Sequence, residues 1–163
     1  MLKTEELKLV SEWDKTFPQS EKVEHQKVTF VNRYGITLAA DMYKPENITG
    51  KCPALAVCGP FGAVKEQCSG LYAQTMAERG YLTIAFDSSF TGESGGGPRY
   101  MASPDINTED FMAAVDFLSV QEDADPYKIG IIGICGWGAH PQQPEAGRSH
   151  LLWNILPYGI LLF

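Results

Sequence analysis

Two spacings of hydrophobic residues succeed one another along this chain. Val28 and Phe30, then Ile36, Leu38, Ala40 and Met42, alternate with polar residues around Arg33-Tyr34-Gly35. A period of two interrupted by such a turn predicts a half-buried antiparallel hairpin. Residues 53–58 (Pro-Ala-Leu-Ala-Val-Cys), 81–86 and 128–135 are short apolar runs, which suit strands covered on both faces. Between the first two, Cys68, Leu71, Tyr72, Thr75 and Met76 recur at i, i+3, i+4, i+7 and i+8, and Gly80 comes next as a left-handed stop, predicting a helix. A second helix is predicted over 108–120, opening on Asn107, with acids in its first turn and Phe111, Ala114, Val115 and Leu118 on one face. Leu7, Val10 and Trp13 have helical spacing ahead of Phe17-Pro18, predicting a peripheral helix over 4–13.

A hairpin followed by β, α, β, α, β implies an α/β fold with right-handed crossovers. The expectation is a three-layer αβα arrangement around a mostly parallel sheet of about five strands, with the antiparallel hairpin at its amino-terminal end. The Gly- and Pro-rich segment 88–106 is its one long loop. The chain divides into a peripheral helical segment (1–18), a core (19–138) and a tail (139–163). The tail holds two charges, Glu145 and Arg148, of the chain's 33 (13 basic plus 20 acidic). Pro141, Pro144 and Gly147 stand where a crossover helix is due, and residues 151–163 are apolar in ten of thirteen positions. That stretch, broken by Pro157 and Gly159, is too short to span a bilayer. The compositional break reads as a foreign tail, from a frameshift or a truncation. Its apolar end would cover the open edge of the sheet, within one chain or between two.

With 163 residues, 44% hydrophobic and 20% charged, the chain reads as one soluble globular domain, large enough to need no staple. A net charge of -7 and the lack of any Lys/Arg run exclude nucleic acid and anionic membrane surfaces as expected partners. Acids at Glu5 and Glu6 interrupt what would be a signal peptide, so a cytoplasmic location is expected. Cys52, Cys58, Cys68 and Cys135 are spaced by six, ten and 67 residues, which fits no zinc pair and reads as free thiols. No metal is expected. No cofactor is expected either, since neither G-x-G-x-x-G nor a P-loop comes after a strand.

The strongest chemical signal is Gly133-Ile134-Cys135-Gly136-Trp137-Gly138, directly after an apolar run. A nucleophile elbow needs a tight strand-to-helix turn with small neighbours, which exposes the central side chain above the sheet. Gly92-Glu93-Ser94-Gly95-Gly96 satisfies G-x-S-x-G literally, but it begins beyond its strand and runs into Gly97-Pro98 with no helix after it. Ser94 is therefore the weaker nucleophile, and Asp87 reads as a loop-capping acid.

With the loop Val57-Cys-Gly-Pro-Phe-Gly-Ala-Val-Lys-Glu-Gln67 and the segment Phe86-Asp-Ser-Ser-Phe-Thr-Gly-Glu-Ser-Gly95, the elbow makes residues 20–138 resemble the α/β-hydrolase superfamily. The cysteine places the resemblance in the dienelactone hydrolase-like branch, and the match covers the amino-terminal half of that fold. It implies hydrolysis of a small-molecule carboxylic ester, lactone or amide through an acyl-enzyme on Cys135. The amides of Phe61 and Gly136 would form the oxyanion hole, and Gly59 and Gly62 would allow close backbone approach. Lys65, Glu66 and Trp137 would lie on the substrate side. In that superfamily the triad acid and histidine lie downstream of the nucleophile. Only His140 and His150 do so here; His140, five residues from Cys135, would project elsewhere in a helix, and His150 has no strand end to aim it, so impaired catalysis is the expectation. The alternative is a non-catalytic truncated fragment or interaction module that self-associates through an exposed sheet edge.

Overall fold

The computed structural model describes residues 5–138 together with the strand residues 154–155 and 160–162. Strands β1 (Val23–Val31) and β2 (Thr37–Pro45) form the expected antiparallel hairpin, with Val31 opposite Thr37. Asn32 closes its turn: the Asn32 amide donates to the Ile36 carbonyl at 3.0 Å, and the Asn32 side-chain oxygen accepts the amides of Tyr34 and Ile36. Gly35 supplies the positive φ of 79° at which a Cβ would be strained.

β3 (Cys52–Cys58), β4 (Leu82–Phe86) and β5 (Ala124–Ile134) complete the body of an open mixed sheet, in the order β1-β2-β4-β3-β5. β3 runs parallel to both of its neighbours, while β2 meets β4 antiparallel. Two short strands, β6 (Asn154–Ile155) and β7 (Ile160–Leu162), extend the sheet, with β7 antiparallel to β5 across Ile132–Ile134. That flank of β5 is thus paired within the chain.

Helices α1 (Cys68–Ala77) and α2 (Pro104–Ser119) lie on opposite faces of the sheet, and strand alternation decides which residues meet which helix. Leu38, Ala40, Ala54, Ala56, Leu82, Ile84, Phe86 and Ile131 pack with Phe111 and Leu118 of α2. Tyr43, Leu55, Val57, Ala85 and Ile132 pack with Ala73 and Ala77 of α1. Both layers are buried, so β3 and β4 are covered on two sides, as their apolar sequences require.

Three expectations are corrected. α1 buries Ser69, Gly70, Ala73, Gln74 and Ala77, small residues that let it sit close on the sheet, while Leu71 and Tyr72 of the expected apolar face are exposed. The described residues ahead of β1 form no helix. Trp13 packs edge-on against Phe17 and His25, Lys15 reaches Asp41, and the Val10 amide donates to Glu93. These contacts draw the segment out along the sheet, and they outweigh the local spacing of Leu7, Val10 and Trp13. The second helix also begins four residues before residue 108, with Ser103 at the N-cap position, its side chain making no cap hydrogen bond, and Pro104 at its first turn. Asn107 is buried inside it rather than capping it: its side-chain oxygen accepts the Ser103 amide at 3.0 Å, and its nitrogen donates to Asp110 at 3.1 Å. The expectations for His140, His150 and the foreign tail fall outside the described residues, apart from β6 and β7.

Candidate active site

β3 and β5 end level with one another, Cys58 opposite Gly133. The segments that leave these two parallel strands therefore emerge side by side at the carboxyl edge of the sheet, where open α/β sheets bind ligands. Cys135 is the first residue beyond β5. It is exposed and has φ 62°, one of three non-glycine residues with positive φ among those described. A non-glycine residue in that region stores about 1–3 kcal/mol and clusters at functional sites. Such strain is expected of a nucleophile held up on a sharp turn. From Cys135 to Gly138, where this stretch of described residues ends, the chain winds into a 3-10 turn.

The loop after β3 turns at Pro60, where the Ala63 amide donates to the Pro60 carbonyl at 2.9 Å. Phe61 and Gly62 occupy the centre of this turn. Gly62 has φ 81°, as the third position of a type II turn demands. Phe61 is half-exposed and lies against the elbow: a Cβ added at Gly136 would stand 3.7 Å from Phe61 Cδ2. The two residues expected to supply oxyanion amides are therefore neighbours. Gly59 sits against the start of α1, where an added Cβ would lie 3.2 Å from the buried Ser69 Oγ. Trp137 lies in the 3-10 turn.

Lys65 and Glu66 belong to a buried charge cluster instead of an open lining. Lys65 has no exposed surface, because its ammonium bonds Asp87 Oδ2 at 3.0 Å, Glu93 Oε2 at 2.7 Å and Glu66 Oε1. Its three hydrogens are thus committed to carboxylates rather than directed at a substrate. Burial alone would lower the Lys65 pKa; the Asp87 charge and the hydrogen bonds to Glu66 and Glu93 outweigh it and raise the pKa. The cluster continues through Lys27, which bonds Glu93 at 2.7 Å and Asp14 at 3.3 Å, to Lys15, Asp41 and His25. Asp14, Glu66 and Glu93 bring carboxylate oxygens within 4.8 Å of one another, and Lys27 and Lys65 bridge them. Removing one partner from the fully buried Lys65–Asp87 pair costs about 3–5 kcal/mol, and the part-exposed Lys27, Glu66 and Glu93 with the exposed Asp14 extend the cluster to the amino-terminal segment.

Asp87 caps its loop as expected and also joins two loops. Oδ1 accepts the Lys65 amide at 2.8 Å and Oδ2 the Glu93 amide at 2.9 Å. Ser94 is buried, donating to the Asp87 carbonyl at 2.7 Å and accepting the Ala39 amide at 2.8 Å. Its hydroxyl is built into the fold and faces no open site. His25, the histidine among the described residues, lies on β1, four strand spacings or about 19 Å from β5. The joint made by Asp87, Lys65 and Glu93 has no sequence spacing that announces it. The one available signal was an acid ending an apolar strand beside a Gly-rich loop.

The mixed sheet with a helix on each face has the arrangement of the α/β-hydrolase fold. The chain belongs to the X-Pro dipeptidyl-peptidase (S15) family, whose family model matches residues 34–146. It is 69% identical to the uncharacterized protein PA2218 of Pseudomonas aeruginosa, over 82% of this chain and 36% of that one. The crystal structure of PA2218 superposes with a TM-score of 0.81, over 82% of this chain and 42% of the solved one. The uncharacterized protein YcjY of Escherichia coli is 43% identical over 68% of this chain and 38% of its own length. Thiohydrolase aneE of Aspergillus aculeatus is 33% identical over 74% and 37%. A putative dienelactone hydrolase from Klebsiella pneumoniae shares the fold, with a TM-score of 0.58 at 18% identity, over 71% of this chain and 51% of that one. The chain thus spans little more than a third of the length of the curated relatives it matches. No helix among the described residues is long and apolar enough to cross a membrane.

Proposed function

We propose that this chain carries the nucleophile half of an acyl-transfer centre that acts on a small carboxylic ester, lactone or amide. The observation that carries this reading is the exposed Cys135 at φ 62°, one residue past β5 and beside the loop of Phe61. Cys135 Sγ, having given its proton to solvent, attacks the substrate carbonyl carbon. The C–S bond forms as the carbonyl π electrons move to oxygen. The amides of Phe61 and Gly136 hydrogen-bond that oxyanion, a donor of this kind contributing about 3–4 kcal/mol. The oxyanion then collapses, the bond to the leaving group breaks, and the acyl group remains on sulfur.

Release of the acyl group needs a base to activate water. His25 is too far from Cys135 to serve, so the described residues support acylation and not rapid turnover. An activated ester suits such a centre because its phenolate leaves without a proton donor. The family described as an X-Pro dipeptidyl-peptidase and the relative named a thiohydrolase are consistent with attack on carbonyl carbon. The test is stopped-flow release of nitrophenolate from p-nitrophenyl acetate. One equivalent released per chain, absent in Cys135→Ala, is expected. No burst from the intact chain contradicts the reading, and a large aggregate alongside it favours the self-associating fragment.

A further inference from the structure

The charge cluster grips the oxyanion-side loop at one residue through both its backbone and its side chain. Asp87 takes the backbone amide of Lys65 at 2.8 Å and the ammonium of the same residue at 3.0 Å. The next residue is held from the other side, the Glu66 carbonyl accepting the Thr16 amide at 2.9 Å. Gly70 lets this segment approach α1, since a Cβ there would lie 2.3 Å from the Lys65 carbonyl oxygen. Between Lys65 and Phe61 the chain has little slack. The Val64 amide is bound by the Gln67 side chain at 3.2 Å, and the Pro60 carbonyl closes the turn at Ala63. Asp87 itself is wedged, because an added Cβ at Gly92 would stand 2.1 Å from its Oδ2.

We infer that Lys65, clamped by Asp87, is a positioning residue that sets where the Phe61 amide stands relative to Cys135. The inference rests on the acyl-transfer reading above. Lys65 touches no substrate; it acts through the backbone four residues away. A group displaced by about 1 Å from its productive place can lose about 100-fold in rate. The carboxylates of the buried Asp87 and the part-exposed Glu93 and Glu66 explain why an ammonium stands at residue 65. The double grip on its amide and side chain explains how that ammonium governs the loop.

The experiment compares two reactions of the same sulfur. Acetylation by p-nitrophenyl acetate passes through an oxyanion, whereas alkylation by iodoacetamide, which displaces iodide at an sp3 carbon, does not. Both rates are measured on the full chain and on Lys65→Met. They are also measured on Lys65→Met/Glu93→Gln, which removes one buried charge of each sign and keeps the test usable if the single variant does not fold. The expected result is about a 100-fold loss of acetylation rate with alkylation unchanged. Equal losses in both reactions assign Lys65 a structural role only and overturn the inference. Unchanged acetylation overturns it as well. A full chain with no Cys135-dependent acetylation overturns the acyl-transfer reading itself, a failure distinct from either of these.

Discussion

Phe61 and Gly136 come from different strand ends and meet at the elbow, with 3.7 Å between Phe61 Cδ2 and the point where a Gly136 Cβ would stand. In the proposed chemistry both act through backbone amides, so their side chains and their N–H groups are separable. Proline favours the second position of a type II turn but has no N–H. Phe61→Pro is therefore expected to fold with stability within about 1 kcal/mol of the parent and to lose acetylation about 100-fold. Phe61→Ala keeps the amide and is expected to keep the rate. Stopped-flow measurements on the two variants check this, and equal rates in both count against a backbone donor at residue 61.

Gly70 and Gly50 separate close approach from backbone conformation. A Cβ at Gly70 would press on the Lys65 carbonyl at 2.3 Å and on Phe17 at 2.9 Å, neither of which can move cheaply. Gly70→Ala is expected to cost about 2–4 kcal/mol in urea unfolding. Gly50 has φ 85° with nothing within 4 Å of an added Cβ. Gly50→Ala is expected to cost only the conformational strain, about 1–2 kcal/mol.

Phe86 is the centre of the α2-side core, 1% exposed and edge-on to Phe111 at 5.0 Å and to Phe30 at 6.2 Å. Phe86→Ala takes the ring away from both of these neighbours. It is expected to cost about 3–5 kcal/mol, read as a shift in the denaturant midpoint at unchanged slope.

Glu93 links the cluster to pH. Burial pushes its carboxyl up, but the hydrogen bonds from Lys27, Lys65 and the Val10 amide together hold it below the ordinary glutamate value of 4.5. A depressed carboxyl contributes stability that is whole above the unfolded value and is lost as pH falls through the folded one. Unfolding free energy should therefore drop on the acid side of pH 4.5, and Glu93→Gln should flatten that drop. Urea unfolding at a series of pH values checks this. An equally steep acid limb in the variant assigns the loss to other groups.

The elements of the core were legible because hydrophobic periodicity determined them. β3 and β4 lie where apolar runs put them, and Gly80 follows α1 with φ 95° as a stop requires, but the spacing marked the wrong face of α1: Leu71 and Tyr72 are exposed, and the small residues Ser69, Gly70, Ala73 and Ala77 meet the sheet. The periodicity failed where tertiary contacts decide. Residues 4–13 have helical spacing, yet Trp13, Lys15 and Thr16 find partners on the sheet and its loops from a segment whose described residues form no helix. At the start of α2, Pro104 supplies the first turn, and Asn107 accepts the Ser103 amide from inside the helix, which made it read as the cap in the sequence. At the site, the sharp turn expected at Cys135 came from the local pattern Gly133-Ile-Cys-Gly136, whereas Phe61 and Gly62 were reached only through the family resemblance. The burial of Lys65 depends on Asp87 and Glu93, 22 and 28 residues further on, and no local pattern encodes a three-carboxylate enclosure.

The most direct test of the proposed acyl transfer is the site of acylation. The chain is incubated with p-nitrophenyl acetate, quenched in acid, digested and mapped by mass spectrometry. One acetyl group is predicted, carried by the peptide that contains Cys135 and absent after Cys135→Ala. Acetyl carried by Ser94 instead, or no stable adduct at Cys135 when nitrophenolate has been released, would contradict it.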